Sequence, residues 1–304
     1  MLPNPGFMKH TIIILLSALL LVTKSAMSQD ENIALSFRNP DNIRPTYIDF
    51  SFGASYIDFR DFATSPLFYR GLSSNFGVYR FVLDQNRESR QGFMLGYGET
   101  STSGDIQTTS ASVGFLNINH TELYKIQMGL PEKWNTKIGG KINLTGNLRQ
   151  NKSFRNNSIG MEGIGTIFAS FKIGRDVSRI KKKTLDIKLF KLHFLPRKRQ
   201  LYWQVNLALV NMTFRNGFAY MEHSSIQNDY NYFDSHEFQI FQGYRLNTSL
   251  DYFIYLKNNN AFRISYIWDA YHTGKDYEKL EMAKHHIMLS FLFGLNEKIT
   301  KTNE

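Results

Sequence analysis

Asp234 and His236 stand two residues apart at the end of the long polar connection 215–236, and on an extended backbone two such residues project to the same side. A carboxylate placed this way can orient an imidazole that activates water, which is what general-base hydrolysis needs. His223 and Ser225 repeat the spacing and pair a base with a nucleophile, but they lie in a polar stretch with Asn228, Asp229 and Asn231. His285 and His286 are adjacent, so from a regular strand they face opposite ways, cannot hold one metal together, and read as a wet pair at a rim. The chain has no cysteine, which removes disulfides, thiol catalysis and cysteine-based metal sites. No metal or cofactor is expected.

The elements that position these residues are strands. Ile138, Ile142, Leu144 and Leu148 fall on one face with Gly140 and Gly146, against Lys137, Lys141, Asn143, Thr145 and Asn147, which is the two-residue period of β structure. The same alternation recurs in about ten stretches. Examples are Ile48, Phe50, Phe52, Ala54 and Tyr56; Phe93, Leu95 and Tyr97; Ile167, Ala169, Phe171 and Ile173; and Leu201, Trp203, Val205, Leu207 and Leu209. The eighth stretch reads as one long strand from Phe238 through Leu246 to Leu256; the ninth carries Phe262, Ile264, Tyr266 and Trp268, and the tenth Ile287, Leu289, Phe291 and Phe293. In the fourth, Ala111, Val113 and Phe115 share a phase that then moves to Leu116 and Ile118, marking either a β-bulge or the end of the membrane-embedded part.

An export signal precedes these strands. Met8, Lys9 and His10 lead into the apolar run Thr11 to Val22, which is too short to span a bilayer as a helix, and Ala26-Met27-Ser28 follows with small residues where a signal peptidase reads. Residues 1–28 are expected to be removed before Gln29. Residues 29–45, with Pro40 and Pro45, form an extended periplasmic lead-in, residues 46–296 the strand domain, and residues 297–304 a polar tail.

Exported alternating strands with no helix-length apolar run predict an all-β fold, an antiparallel up-and-down transmembrane β-barrel of ten strands in the outer membrane. The polar faces carry Asp49, Lys137, Lys141, Lys172, Arg245, Asp251, Arg263 and Asp269, which a dry sandwich core does not hold unpaired. An even number of strands puts both termini on the periplasmic side. The external connections are then 60–71, 101–107, 149–159, 215–236 and 272–283. Between 175 and 199 the alternation of Leu185, Ile187 and Leu189 leaves twelve strands, or an added hairpin, open.

On this strand pattern the mature chain resembles the small outer-membrane β-barrel proteins of Gram-negative bacteria. Asp234 and His236 are similar to the Asp-x-His half of the omptin proteases, which carry that pair after the same loop of a ten-stranded barrel. The facing connection offers only Glu99 and Asp105, not the carboxylate pair that omptins use. A barrel of this size is filled by its own side chains, against a general porin. The resemblance therefore implies a binding, small-solute or structural role, with an enzyme at the rim, protease or lipid hydrolase, as the alternative.

The net charge of +10 is concentrated between Arg175 and Arg199, where ten basic residues meet only Asp176 and Asp186. This run either contacts anionic headgroups of the outer-membrane lipids, the expected partners, or is simply solvated. No nucleic acid is expected, because the basic run carries no interleaved stacking aromatics. Aromatics in the external connections, Phe62, Phe68 and Tyr69 in the first and Phe218, Tyr220, Tyr230, Tyr232 and Phe233 in the fourth, either bind a surface ligand or pack the loops over the barrel. Nothing in the sequence sets the oligomeric state.

Overall fold

The computed structural model describes residues 45–84, 86–102, 109–151, 159–178, 183–187, 190–194, 196–216, 236–256, 258–274 and 279–295. The sequence expectations for residues 1–44, for Asp234, for His223 to Ser225 and for the aromatics from Phe218 to Phe233 lie outside these residues. The strands are β1 (Thr46–Asp61), β2 (Ser65–Leu83), β3 (Arg87–Ser101), β4 (Ser110–Ile126), β5 (Trp134–Asn151), β6 (Ile159–Asp176), β7 (Lys183–Ile187), β8 (Phe190–Phe194), β9 (Arg199–Asn216), β10 (His236–Ile240), β11 (Tyr244–Tyr255), β12 (Ala261–Thr273) and β13 (Leu280–Gly294).

Ten of them, β1 to β6, β9, β11, β12 and β13, pair antiparallel in that order, and β13 pairs back with β1 to close the ring. β7 and β8 pair only with each other, so the alternation near Leu185 belongs to a separate hairpin and the barrel has ten strands, not twelve. The first and last strands are neighbours, and Leu295 N–H donates to the Thr46 carbonyl at 2.9 Å, so both ends of the barrel chain lie at one end. We call this the turn end and the other the loop end.

The apolar parity faces outward throughout. On β1 the outward residues from Ile48 to Tyr56 are apolar, after which Asp58 and Arg60 take over the same face. Nine residues is the length a tilted strand needs to cross hydrocarbon. Leu207, Ile264 and Leu289 are 47 %, 47 % and 61 % exposed. No second layer of described residues covers these side chains, and a continuous belt of this kind is far larger than the apolar patches of water-soluble monomers. No helix among the described residues is long and apolar enough to cross a membrane; the crossing is made by strands.

Four sequence expectations are revised in detail. The phase change on β4 is not a bulge, because its pairing with β3 and β5 runs unbroken. Ala111, Val113 and Phe115 point into the barrel, while Leu116 and Ile118 point out. The belt ends at Leu116; above it the outward positions Gly114, Ser112 and Ser110 are small or polar. Second, the eighth stretch is not one strand. It breaks between β10 and β11, where Phe241 has φ 58° and Gly243 φ 78°. Only glycine adopts the second value without strain, and a Cβ on Gly243 would also strike the His272 carbonyl. Third, the first external connection is short, since β1 reaches Asp61 and β2 restarts at Ser65. Tyr69 is therefore not a loop aromatic: it stacks on Phe59 inside the barrel, with ring centroids 5.0 Å apart. Fourth, β9 carries an irregularity that the alternation concealed. Ile167 pairs with Val210 and Phe168 with Ala208, which leaves Leu209 over and turns Asn211, Thr213 and Arg215 inward.

Candidate functional site

The interior is filled in three layers by side chains from the inward parity of the ten strands. Near the turn end, Glu88 on β3 receives Lys137 of β5 at 3.2 Å and Lys172 of β6, while the Lys137 ammonium also donates to the Asp84 carbonyl at 2.6 Å. All three side chains are almost fully buried. Across the barrel, the Arg263 guanidinium on β12 donates to Asp49 of β1 at 2.6 Å and meets Asp251 of β11 at 3.4 Å. Ser290 and Ser51 complete its partners, and Ser265 donates to Asp251 at 2.5 Å. Tyr202, Phe81 and Phe253 pack around these two clusters, with Phe253 edge-on to both other rings.

In the middle layer Arg245 forms a two-pronged pair with Asp269, Nε to Oδ1 at 2.9 Å and Nη2 to Oδ2 at 2.6 Å, and also donates to Thr145 at 3.0 Å. This geometry is the strong form of a charged hydrogen bond. Lys141 donates to Asn247 Oδ1 and Lys284 to Asn147 Oδ1, both at 2.9 Å. His286 points inward, is 1 % exposed, bonds to Ser55 and lies edge-on to Phe115. His285 points outward and contacts the Tyr266 hydroxyl at 2.7 Å through Nδ1. The two histidines do alternate faces, but they stand within β13 and not at a wet rim.

Toward the loop end the lumen is capped. Asp61 lies between Arg149 at 2.8 Å and Arg215 at 2.7 Å, and Arg149 continues to Glu162 at 2.5 Å. Beneath this chain of charges Phe59, Tyr69, Val113, Ile164, Leu280 and Met282 form an apolar plug. Gly96 leaves the space that the Phe115 ring occupies, since a Cβ there would meet the ring. Between plug and turn-end clusters remains a cavity of about 40 Å³ lined by Arg90, Lys141, Asn117, Gln204, Asn206 and other polar groups. At ~10–15 Å³ for each water that is room for about three, a chamber and not a conduit.

His236 begins β10 at the loop end. Its ring is buried against Phe214, with centroids 4.9 Å apart, and its Nε2 lies 3.0 Å from the Met161 carbonyl, which can only accept, so Nε2 carries a proton. It shares its face with Phe214, opposite to Arg215. Asp234 and Asp105 lie outside the described residues, and Glu99 is exposed on the outer face of β3. Glu99 is thus not turned toward His236, which instead lies within electrostatic reach of Glu162 on β6; among the described residues no group of three metal-ligating side chains is found. What sequence reasoning missed is the ion-pair layering itself. Its only signal was the run of charges on inward positions, which shows that charges are paired but not with which partner.

The fold and its interior define a transmembrane β-barrel whose lumen is closed by its own charged and aromatic side chains. No family model matches the chain, and no curated protein matches it significantly. Among solved structures it is similar to an outer membrane channel from Pseudomonas putida F1, with 10 % identity, 83 % of this chain and 96 % of that one covered, and a TM-score of 0.33. It is likewise similar to the outer membrane protease OmpT from Escherichia coli, with 7 % identity, coverage of 82 % and 96 %, and a TM-score of 0.45. A third is the translocator domain of the autotransporter NalP from Neisseria meningitidis, with 10 % identity, coverage of 91 % and 97 %, and a TM-score of 0.34.

Proposed function

We propose that this chain is exported to the outer membrane of a Gram-negative cell and stands there as a closed, non-enzymatic barrel. Its role, in binding a surface ligand or supporting the envelope, is set by the connections at the loop end. The observation that carries this reading is the division of each strand into an outward apolar belt and an inward face whose carboxylates are all ion-paired. Outer-membrane barrels keep short turns on the periplasmic side and longer loops outside. Both ends of the barrel chain lie at the turn end, the side an even-stranded outer-membrane barrel keeps in the periplasm, so the loop end, which carries the connection between β9 and β10, is the extracellular one. The lipids of the outer membrane are its first partners.

Two measurements test the proposal. Membrane fractions run on denaturing gels with and without heating give a mobility shift for a folded barrel, whereas recovery as a freely soluble periplasmic protein overturns the assignment. Purified protein in planar bilayers gives no steady current through the plugged lumen; a persistent open conductance would show that plug and cap do not close it. The rim-enzyme alternative is decided by peptide and lipid hydrolysis assays on the wild type, Asp234→Ala and His236→Ala. Hydrolysis by the wild type that both variants lose would replace this reading.

A further inference from the structure

We infer that the lumen contains a binding site for a small monovalent anion of halide size, built on Arg90 and Lys141. The six inward carboxylates Asp49, Asp61, Glu88, Glu162, Asp251 and Asp269 each have a cation within ion-pair distance. The inward cations outnumber them: among the described residues Arg90, Lys141 and Lys284 make no ion pair. Lys141 and Lys284 at least donate to an asparagine oxygen. Arg90 has five N–H donors and no hydrogen bond to any described residue; its guanidinium lies 4.0 Å from the centre of the Tyr79 ring and 4.8 Å from that of Phe81.

Arg90 and Lys141 both line the 40 Å³ cavity, and they retain accessible surface although they sit among lumen side chains, so that surface faces the cavity. The carboxylates on the cavity wall are already engaged: Glu88 by two lysines, Asp251 by Arg263 and two serines, Asp269 by Arg245. The amides of Gln204 and Asn206 on the wall are likewise taken up, by one another and by Asn247, so what is left facing the space is positive charge. A buried cation without a counter-charge is costly, and an arginine does not relieve the cost by losing its proton. An anion in the chamber relieves it. The space admits one ion close to water in size with a water or two, and it excludes phosphate esters and carboxylic acids with a side chain.

The inference rests on the closed-lumen barrel, but its test is separate from the conductance and mobility measurements. Full-length protein in detergent is heated at matched ionic strength in sodium chloride, bromide or gluconate, and the loss of the compact gel form is followed. Chloride and bromide are expected to raise the midpoint by about 2–4 °C over gluconate, as ligand binding to the folded state requires. Arg90→Gln and Lys141→Met are each expected to abolish that difference. Crystals soaked in bromide provide a readout that needs no variant: an anomalous peak in the chamber within hydrogen-bonding distance of Arg90 is expected. Equal midpoints in the three salts together with an empty chamber in the bromide map would overturn the inference.

Discussion

Replacing Glu88 with glutamine keeps the shape of the side chain and removes its charge, leaving the ammonium groups of Lys137 and Lys172 in a space where each is almost entirely buried. Two charge-assisted hydrogen bonds are weakened at once, each of ~1.5–3 kcal/mol. No other carboxylate of the described residues lies within ion-pair distance of either lysine, so the penalty for breaking a buried ionic group is ~3–5 kcal/mol. The lysines are not equivalent to the carboxylate. Lys137→Met leaves Glu88 paired with Lys172, and Lys172→Met leaves it paired with Lys137, so either change should cost only ~1–3 kcal/mol. Removing all three charges, as Glu88→Leu with both lysines changed to methionine, should bring stability back close to that of the wild type. The assay is urea unfolding in lipid vesicles, followed by tryptophan fluorescence and by the gel shift, with the single and multiple variants treated as a cycle. If Glu88→Gln costs less than about 1 kcal/mol, or no more than Lys172→Met, water reaches this cluster and the lumen is not closed at the turn end.

Other consequences are equally direct. Leu289→Arg places a charge in the middle of the outward belt and should destabilise the barrel by ~2–4 kcal/mol in vesicles, whereas the same change at Ser112, above the belt on β4, should cost about 1 kcal/mol or less; equal effects would put the belt elsewhere. Gly96→Val drives a side chain into the Phe115 ring and should cost ~1–3 kcal/mol, and Phe115→Ala in the same chain should recover part of that loss, both read from the urea midpoint. Gly243→Ala forces a left-handed backbone on alanine and sets its Cβ against the His272 carbonyl, so a loss of at least ~1–2 kcal/mol is expected from the same measurement.

The outward face was readable from the sequence because hydrocarbon makes one uniform demand on every strand it touches. Ile138, Ile142, Leu144 and Leu148 satisfy it, and so do Phe52, Ile264 and Leu289 on strands far apart in the chain. The inward face answers to two demands that change along the barrel axis. On β4 it holds Ala111, Val113 and Phe115 where the plug must be dry, then Asn117 and Thr121 where the lining of the cavity is polar. Read along the chain this looks like a loss of phase, although the backbone register never changes. The break at Gly243 was hidden for the opposite reason: Phe238, Ile240, Tyr244 and Leu246 keep one parity across it, so the alternation continues where the strand does not.

The pairing of the lumen charges is a property of ring closure and has no counterpart in sequence spacing. Arg263 and Asp49 are 214 residues apart and meet at 2.6 Å because β13 alone lies between β12 and β1. Lys172 and Glu88 sit on β6 and β3, with two strands between them, and meet by reaching across the interior. The cap follows the same rule, since Asp61 on β1 takes Arg149 from β5 and Arg215 from β9, the two strands that flank β6 on the far side of the ring. These cross-links tie non-adjacent strands together, so each also resists a change in the cross-section of the barrel. Asp61→Asn weakens two such ties at once and leaves Arg215 and Arg149 unneutralised by that carboxylate, while Glu162→Gln weakens only a pair between the neighbouring strands β5 and β6. In planar bilayers Asp61→Asn should therefore give more frequent brief openings than Glu162→Gln, and a silent Asp61→Asn beside an open Glu162→Gln would mean that the cap is not what closes the loop end.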